Sequence, residues 1–420
     1  MFPDAPGNPD SATPDALAER IFTALAAMGD IYSIYVGDRL GYYRTLANGA
    51  PVTSRDLARQ TGTAERYARE WLEHQAVTGI LDASADDDPA TRSFRLPSGH
   101  AEALASPGHP ASISPWTRLM VGMGHALPAV LEAFRTGEGV PYEAYGADVR
   151  EGIAEANRPM FIHSLGSDWL PAMPDVHARL LADPPARVAD IGCGSGWSSI
   201  ALALACPNVL VEGFDLDEAS VRDARANAEA AGVTDRVAFH QRDAGDPALA
   251  GAFDLVCAFE CIHDMANPVA ALRSMRRLVG AGGTALVADE RAAERFEAPG
   301  DETERLLYAF SILHCLPVGM VGKDSRQTGA VMRPGTMRRY CAEAGFAAVA
   351  ELPVDNPFWR FYRLAAGMPR RDAPPGPVLR RTEPGSPAAY RNPPVGLNRN
   401  RAPGLPARGS YISRFRQQND

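Results

Sequence analysis

Arg187-Val-Ala-Asp190-Ile-Gly192-Cys-Gly194-Ser-Gly196-Trp197-Ser-Ser-Ile-Ala201 is the stretch on which the fold turns. Residues 188–191 are a short apolar run that takes in an acid, which reads as a buried strand. Three alternating glycines follow, and 198–205 reads as the opening of a helix. Strand, glycine loop and helix also make a dinucleotide site, so the loop alone decides little. Position separates the two. A dinucleotide loop wants a third Gly or Ala where helix and strand pack closest, and bulky Trp197 stands there. Asp190 would repel a pyrophosphate at that place, whereas a cationic amino-acid moiety would be welcome.

The chain downstream repeats the pattern. A second apolar strand from Val209 ends in Asp215, 23 residues after Gly192. A carboxylate at that end offers two acceptor oxygens, enough for both hydroxyls of a ribose. Asp217 caps a helix over 218–231 that Gly232 closes. A third strand, opening at Arg236, ends at Asp243-Ala244. Residues 253–259 read as strand four, and Asn267-Pro268 start a helix with a cap and a first-turn proline. Gly280-Ala-Gly282-Gly283 end that helix, and strand five spans 284–288. A helix over 335–344, stopped by Gly345, precedes two segments, 347–354 and 358–364, that pair as an antiparallel hairpin.

On these residues the chain resembles the class I S-adenosylmethionine-dependent methyltransferases, over the whole of 186–365. The resemblance implies an α/β fold: a Rossmann-like seven-stranded sheet with a terminal antiparallel hairpin. It implies S-adenosyl-L-methionine as cofactor. The glycines would lie against its methionine part, Asp190 near its amino group, Asp215 on the ribose and Asp243 on the adenine amine. Cofactor contacts are expected from Asp190, Gly192, Cys193, Gly194, Gly196, Asp215, Leu216, Asp243, Ala244 and Phe259.

Glu260-Cys-Ile-His263-Asp264-Met265 follows strand four and resembles the His-Asp-Trp motif of small-molecule O-methyltransferases of the plant and polyketide type. Met265 replaces the Trp of that motif, and Phe259 stands where those enzymes often carry a polar or basic residue. The resemblance implies His263 as general base and Asp289 as a carboxylate that orients the histidine or the substrate. An imidazole has the chemistry for this, since it can take a proton near neutral pH. The plainer alternatives are a loop histidine that shapes the pocket and a surface acid that pairs with Arg291. Between strand five and the last helix, 291–333 is a long insertion of the kind that covers a substrate. His314 is the substrate-facing candidate there; an apolar helix packed on the sheet explains the same segment. Asp264, Asp289 and Glu290 match no recognised ligand spacing, so no metal is expected.

Ahead of this unit, Leu17, Ile21, Leu25, Met28, Ile31 and Tyr35 recur at helical steps. Thr53 or Ser54 caps a short helix, Gly62 turns the chain, and a second helix runs to about Gly79. Ile80-Leu81 and residues 93–96 then read as two strands of a wing. The expected organisation is a disordered start over 1–13, a helical winged-helix domain over 14–106 and a helical linker over 107–178. The methyltransferase domain covers 179–366 and a disordered Pro/Arg-rich tail 367–420. Glu65, Glu70, Glu73 and the Asp86-Asp87-Asp88 wing tip would repel phosphate, so nucleic acid is an unfavourable partner. A homodimer through the N-terminal helical domain is expected instead.

Composition agrees with a two-domain, membrane-free protein: 420 residues, 45% hydrophobic and 22% charged. No apolar run is long enough to span a bilayer, and the start lacks a secretory pattern, which points to the cytoplasm. The net charge is −9, yet the tail from Pro369 holds ten Arg against three acids. The six cysteines are scattered without a CxxC pair and read as buried thiols. The expected activity is methyl transfer to a small molecule, most naturally on oxygen. Its rivals are an N- or C-methyltransferase working by proximity and a cofactor-binding winged-helix regulator without turnover.

Overall fold

In the computed structural model, which describes residues 13–366, the N-terminal domain is assembled around a few polar stops. Thr13 accepts from the Ala16 amide and starts helix α1 (Pro14–Arg39). After α2 (Tyr42–Leu46) and the short strand β1 (Val52–Thr53), Thr53 and Asp56 form a reciprocal capping box at α3 (Ser54–Thr61). Gly62, at φ 69°, turns the chain into α4 (Glu65–Val77). Strands β2 (Asp82–Ala83) and β3 (Ser93–Arg95) complete an antiparallel wing in the order β1-β3-β2, and α5 (Ser98–Ala105) closes the domain. Tyr42, Tyr43, Leu57, Trp71, Leu72 and Phe94 are its buried core. The wing strand expected at Ile80-Leu81 begins two residues later. Both amides there donate to the Gln75 carbonyl, at 2.9 and 3.1 Å, and so finish α4.

The apolar stripe of α1 is largely uncovered: Leu17, Ile21, Leu25 and Met28 remain 49–54% exposed. On α4 the arginines are spent on neighbouring acids, Arg66 on Glu70 and Arg69 on Glu65, while Glu73 pairs with Arg92 of the wing. A DNA backbone needs such cations free.

The segment that follows is helical: α6 (Ser114–His125), α7 (Leu127–Thr136), α8 (Gly146–Ser164), a π-helical turn (Leu165–Trp169) and α9 (Pro174–Leu181). Phe161, Trp169 and Leu170 are buried with Val188, Ile200 and Trp359 of the next domain, so this segment packs onto that domain. The expectations for 1–12 and for the tail over 367–420 lie outside the described residues.

The second domain alternates β4 (Arg187–Ile191), α10 (Trp197–Ala205), β5 (Leu210–Asp215), α11 (Glu218–Ala230), β6 (Val237–Gln241), β7 (Phe253–Phe259), α12 (Pro268–Leu278) and β8 (Val279–Glu290). The insertion carries α13 (Glu302–Phe310), a π-helical turn (Ser311–Cys315) and α14 (Leu316–Gly319), and then come α15 (Pro334–Ala344), β9 (Ala348–Glu351) and β10 (Trp359–Ala365). Seven strands run β6-β5-β4-β7-β8-β10-β9, with only β10 antiparallel to its neighbours. Apolar clusters cover both faces of the sheet. Strand order reverses between β4 and β7, and ligands of such sheets bind beyond the strand ends at that switch point. The glycines expected to end α12 belong to β8 instead. A Cβ on Gly283 would meet the Phe253 carbonyl at 2.5 Å, so only glycine lets β8 lie this close to β7.

Candidate active site

Asp190 and Asp215 stand at the ends of β4 and β5, beside the switch point, and Asp243 follows the edge strand β6. Asp190, 1% exposed, accepts from the Ser198 and Ser199 hydroxyls at 2.6 Å each, which ties the loop to the first turn of α10. Burial lifts its carboxyl to about 6, against the pull of those hydroxyls. Asp215 accepts from the Gly194 amide at 2.8 Å and from the Asp217 amide at 2.9 Å. Burial raises its pKa too. Asp217 itself caps α11 through the Ser220 amide. Asp243 is exposed and accepts from the Gly245 amide, with half-buried Ala244 beside it.

The glycine loop fits the expected cofactor on two grounds. Gly194, at φ 50°, has nothing in front of the place a Cβ would take, and Leu216 beside Asp215 stays 67% exposed. An open backbone face rimmed by a carboxylate and an uncovered apolar side chain suits a ligand that is cationic at one end and aromatic at the other. Gly192 is tight on its other side: a Cβ there would meet Cys261 Sγ at 2.7 Å. Cys261 in turn donates to the Ile191 carbonyl at 3.3 Å. The loop after β7 thus rests directly on the cofactor loop. Cys193 and Phe259 are both 6% exposed. Phe259 packs edge-on against Phe161, with ring centroids 5.5 Å apart. Trp197 opens α10 under the guanidinium of Arg158, 4.0 Å from its ring centroid, and its indole N–H has no partner.

Beyond β7 the short turn Ile262–Asp264 buries His263 to 2% exposure. Its Nδ1 pairs with Asp289 Oδ1 at 2.6 Å, and its Nε2 lies 3.1 Å from Asp264 Oδ1. Asp289 is 1% exposed, so it is no surface acid, and its Oδ1 also accepts from the Glu290 amide. Burial pushes the imidazole pKa down, but the charges of Asp264 and Asp289 outweigh burial and hold it well above the ordinary value. Burial would raise Asp264, yet the histidine charges bring it to about 2.

His314 is also buried, at 2% exposure. Its ring stands edge-on to Tyr145 at 4.7 Å, and its Nδ1 is 3.9 Å from Asp264 Oδ2. Burial, the largest influence, lowers its pKa against the pull of Asp264. The structure therefore brings His263, Asp289 and His314 into one cluster, joined by residues that motif reading did not place. Glu260, at φ 52°, bonds the Asn157 amide, and burial lifts its carboxyl to about 7. Glu290 is driven well above its usual range by burial and by Glu260. A non-glycine residue with positive φ is uncommon and marks a constrained site. No sequence signal reveals that backbone.

Comparison with known proteins places the chain. Residues 182–321 match the family described as "Methyltransferase domain", and 26–106 match the "Rv2258c-like winged HTH domain". The chain is 30% identical over 206 residues to a ubiquinone biosynthesis O-methyltransferase of Aromatoleum aromaticum, covering 48% of this chain and 79% of that protein. It is 36% identical over 104 residues to 27-O-demethylrifamycin SV methyltransferase of Amycolatopsis mediterranei, covering 24% of this chain and 38% of that one. The fold matches human N-acetylserotonin methyltransferase in complex with SAM, at TM-score 0.63 and 15% identity over 85% of this chain and 99% of that one. The chain belongs to the class I S-adenosylmethionine-dependent methyltransferases and carries a winged-helix domain ahead of the catalytic one. Among the described residues no helix is long and apolar enough to cross a membrane.

Proposed function

We propose that this enzyme methylates a hydroxyl of a small molecule, with His263 as general base and Asp289 as the group that fixes it. The observation that carries the reading is the 2.6 Å contact between His263 Nδ1 and Asp289 Oδ1. It anchors one ring nitrogen, while the other, Nε2, lies 3.1 Å from Asp264 Oδ1 and must turn from that carboxylate to take the acceptor's proton. Asp190, Gly192, Cys193, Gly194, Gly196, Asp215, Leu216, Asp243, Ala244 and Phe259 are assigned to cofactor binding, and His314 to the acceptor side. The bound cofactor supplies an activated methyl on a sulfonium, with a neutral thioether as leaving group.

The chain's own residues do the rest. Asp215 orients the ribose, and the loop glycines admit the backbone close to the ligand. The insertion bearing His314 excludes water and holds the acceptor in line; alignment alone is worth roughly 7–11 kcal/mol. His263 must give up a proton before it can take the acceptor's, because Asp264 and Asp289 keep the imidazole charged. The test is a screen of phenolic and enolic acceptors against amine analogues of the same skeleton, read as methyl incorporation. Turnover of the hydroxyl series supports the proposal; turnover of amines alone, undiminished without His263, sinks it.

The uncovered stripe of α1 is assigned to contact between two copies of the chain. Apolar positions one turn apart, each about half exposed, suit a symmetric helix pairing. Light scattering is expected to return a dimer mass for the wild type and a monomer mass for the double variant Ile21→Asp/Leu25→Asp. A wild-type monomer at micromolar concentration would remove the assignment.

A further inference from the structure

The insertion brings a thiol to the same cluster. Helix α13 runs into the π-helical turn Ser311–Cys315, which widens the helix by a residue and turns two adjacent side chains inward. His314 and Cys315 are 2% and 6% exposed. One ligand-capable atom from each of His263, Asp264 and Cys315 lies within 4.8 Å of the others. A further observation points to a cation among them. His263 Nδ1 is held by Asp289, the arrangement by which a carboxylate fixes a metal-binding imidazole and directs its Nε2 at the ion.

The donors decide which ion. Nitrogen, oxygen and sulfur together suit a borderline cation with tetrahedral preference, and reject magnesium and calcium, which want oxygen alone. Bonds of about 2.0–2.3 Å require these ligand atoms to draw together around the ion. His314 Nδ1 lies 3.9 Å from the other Asp264 oxygen. Glu260 and Glu290 add buried acids nearby.

We propose that His263, Asp264 and Cys315 form a zinc site whose filling switches methyl transfer off, because the ion takes the Nε2 that the acceptor's proton needs. The inhibitory effect rests on the base role proposed for His263; the site itself does not. Binding forms zinc–sulfur and zinc–Nε2 bonds as the Cys315 thiol and the charged His263 imidazole each release one proton to solvent, and no atom changes oxidation state. The spacing of Asp264, Asp289 and Glu290 pointed to no metal; Cys315, 52 positions from His263, was not among those candidates.

The experiment uses the full chain after treatment with EDTA. Titration with Co²⁺ is expected to raise a thiolate-to-cobalt charge-transfer band, bleached by Zn²⁺ and missing from both Cys315→Ser and Cys315→Ala. No band in the wild type, or a band that survives in folded Cys315 variants, overturns the site. Zn²⁺ is then expected to inhibit turnover reversibly, with half-inhibition moved up by ~10-fold or more in Cys315→Ser, the equivalent of one lost bond at about 1.4 kcal/mol. Turnover that rises with Zn²⁺ overturns the switch. Metal-free His263→Gln that turns over as fast as wild type sinks the base role instead, and leaves the wild-type cobalt band standing.

Discussion

His263→Gln is expected to keep S-adenosylmethionine bound while kcat falls by about 10²–10⁴-fold, the span of general base catalysis. Gln preserves a polar group of similar reach, and the glycine loop and Asp215 that hold the cofactor are untouched. The loss should therefore fall on kcat, with little change in the dissociation constant of the cofactor. Asp289→Asn is expected to give a smaller loss of the same kind, because it blunts the 2.6 Å contact that fixes the ring without removing the imidazole. Calorimetry for binding, beside single-turnover assays for chemistry, separates the two effects. A His263→Gln enzyme with wild-type kcat would assign the site to proximity alone and favour nitrogen or carbon as the acceptor atom.

Asp215→Ala is expected to weaken cofactor binding by at least ~100-fold. Two hydrogen bonds to a carboxylate are lost, at about 1.5–3 kcal/mol each. The Gly194 and Asp217 amides also lose their acceptor, so the open face of the loop is no longer held to β5. Asp215→Asn keeps an acceptor oxygen and should lie between the two. Calorimetric titration with S-adenosylmethionine and with its demethylated product checks this, and NAD serves as a control that should give no heat. Wild-type affinity in folded Asp215→Ala would move the ribose contact elsewhere on the loop.

What could be read ahead of the structure was local chemistry. Asp217, Asn267 and Gly345 act at their own helix ends, so their roles follow from a few neighbouring residues. The order of strands ending in Asp190, Asp215 and Asp243 is likewise a matter of pattern along the chain. What escaped depends on close approach between distant segments. The Gly280–Gly283 run looks like a helix stop until the Phe253 carbonyl is seen to occupy the space a side chain would need. Ile80-Leu81 has the composition of a strand, but the Gln75 carbonyl claims its amides first. The imidazole at 263 was legible from its motif. Its acid neighbours Glu260 and Glu290, and the thiol at 315, were not, because a positive φ and a π-helical turn leave no trace in residue spacing.

Trp197 has an optical consequence. Indole emission responds to nearby charge, and this ring lies 4.0 Å beneath the Arg158 guanidinium, one residue past the last loop glycine. Of the five tryptophans it is the one that opens α10. Trp169 and Trp359, by contrast, are sealed in the core at 2% and 1% exposure. Anything cationic that settles on the loop changes the field at the ring, so the protein carries a fluorescent gauge of its own occupancy and needs no added dye.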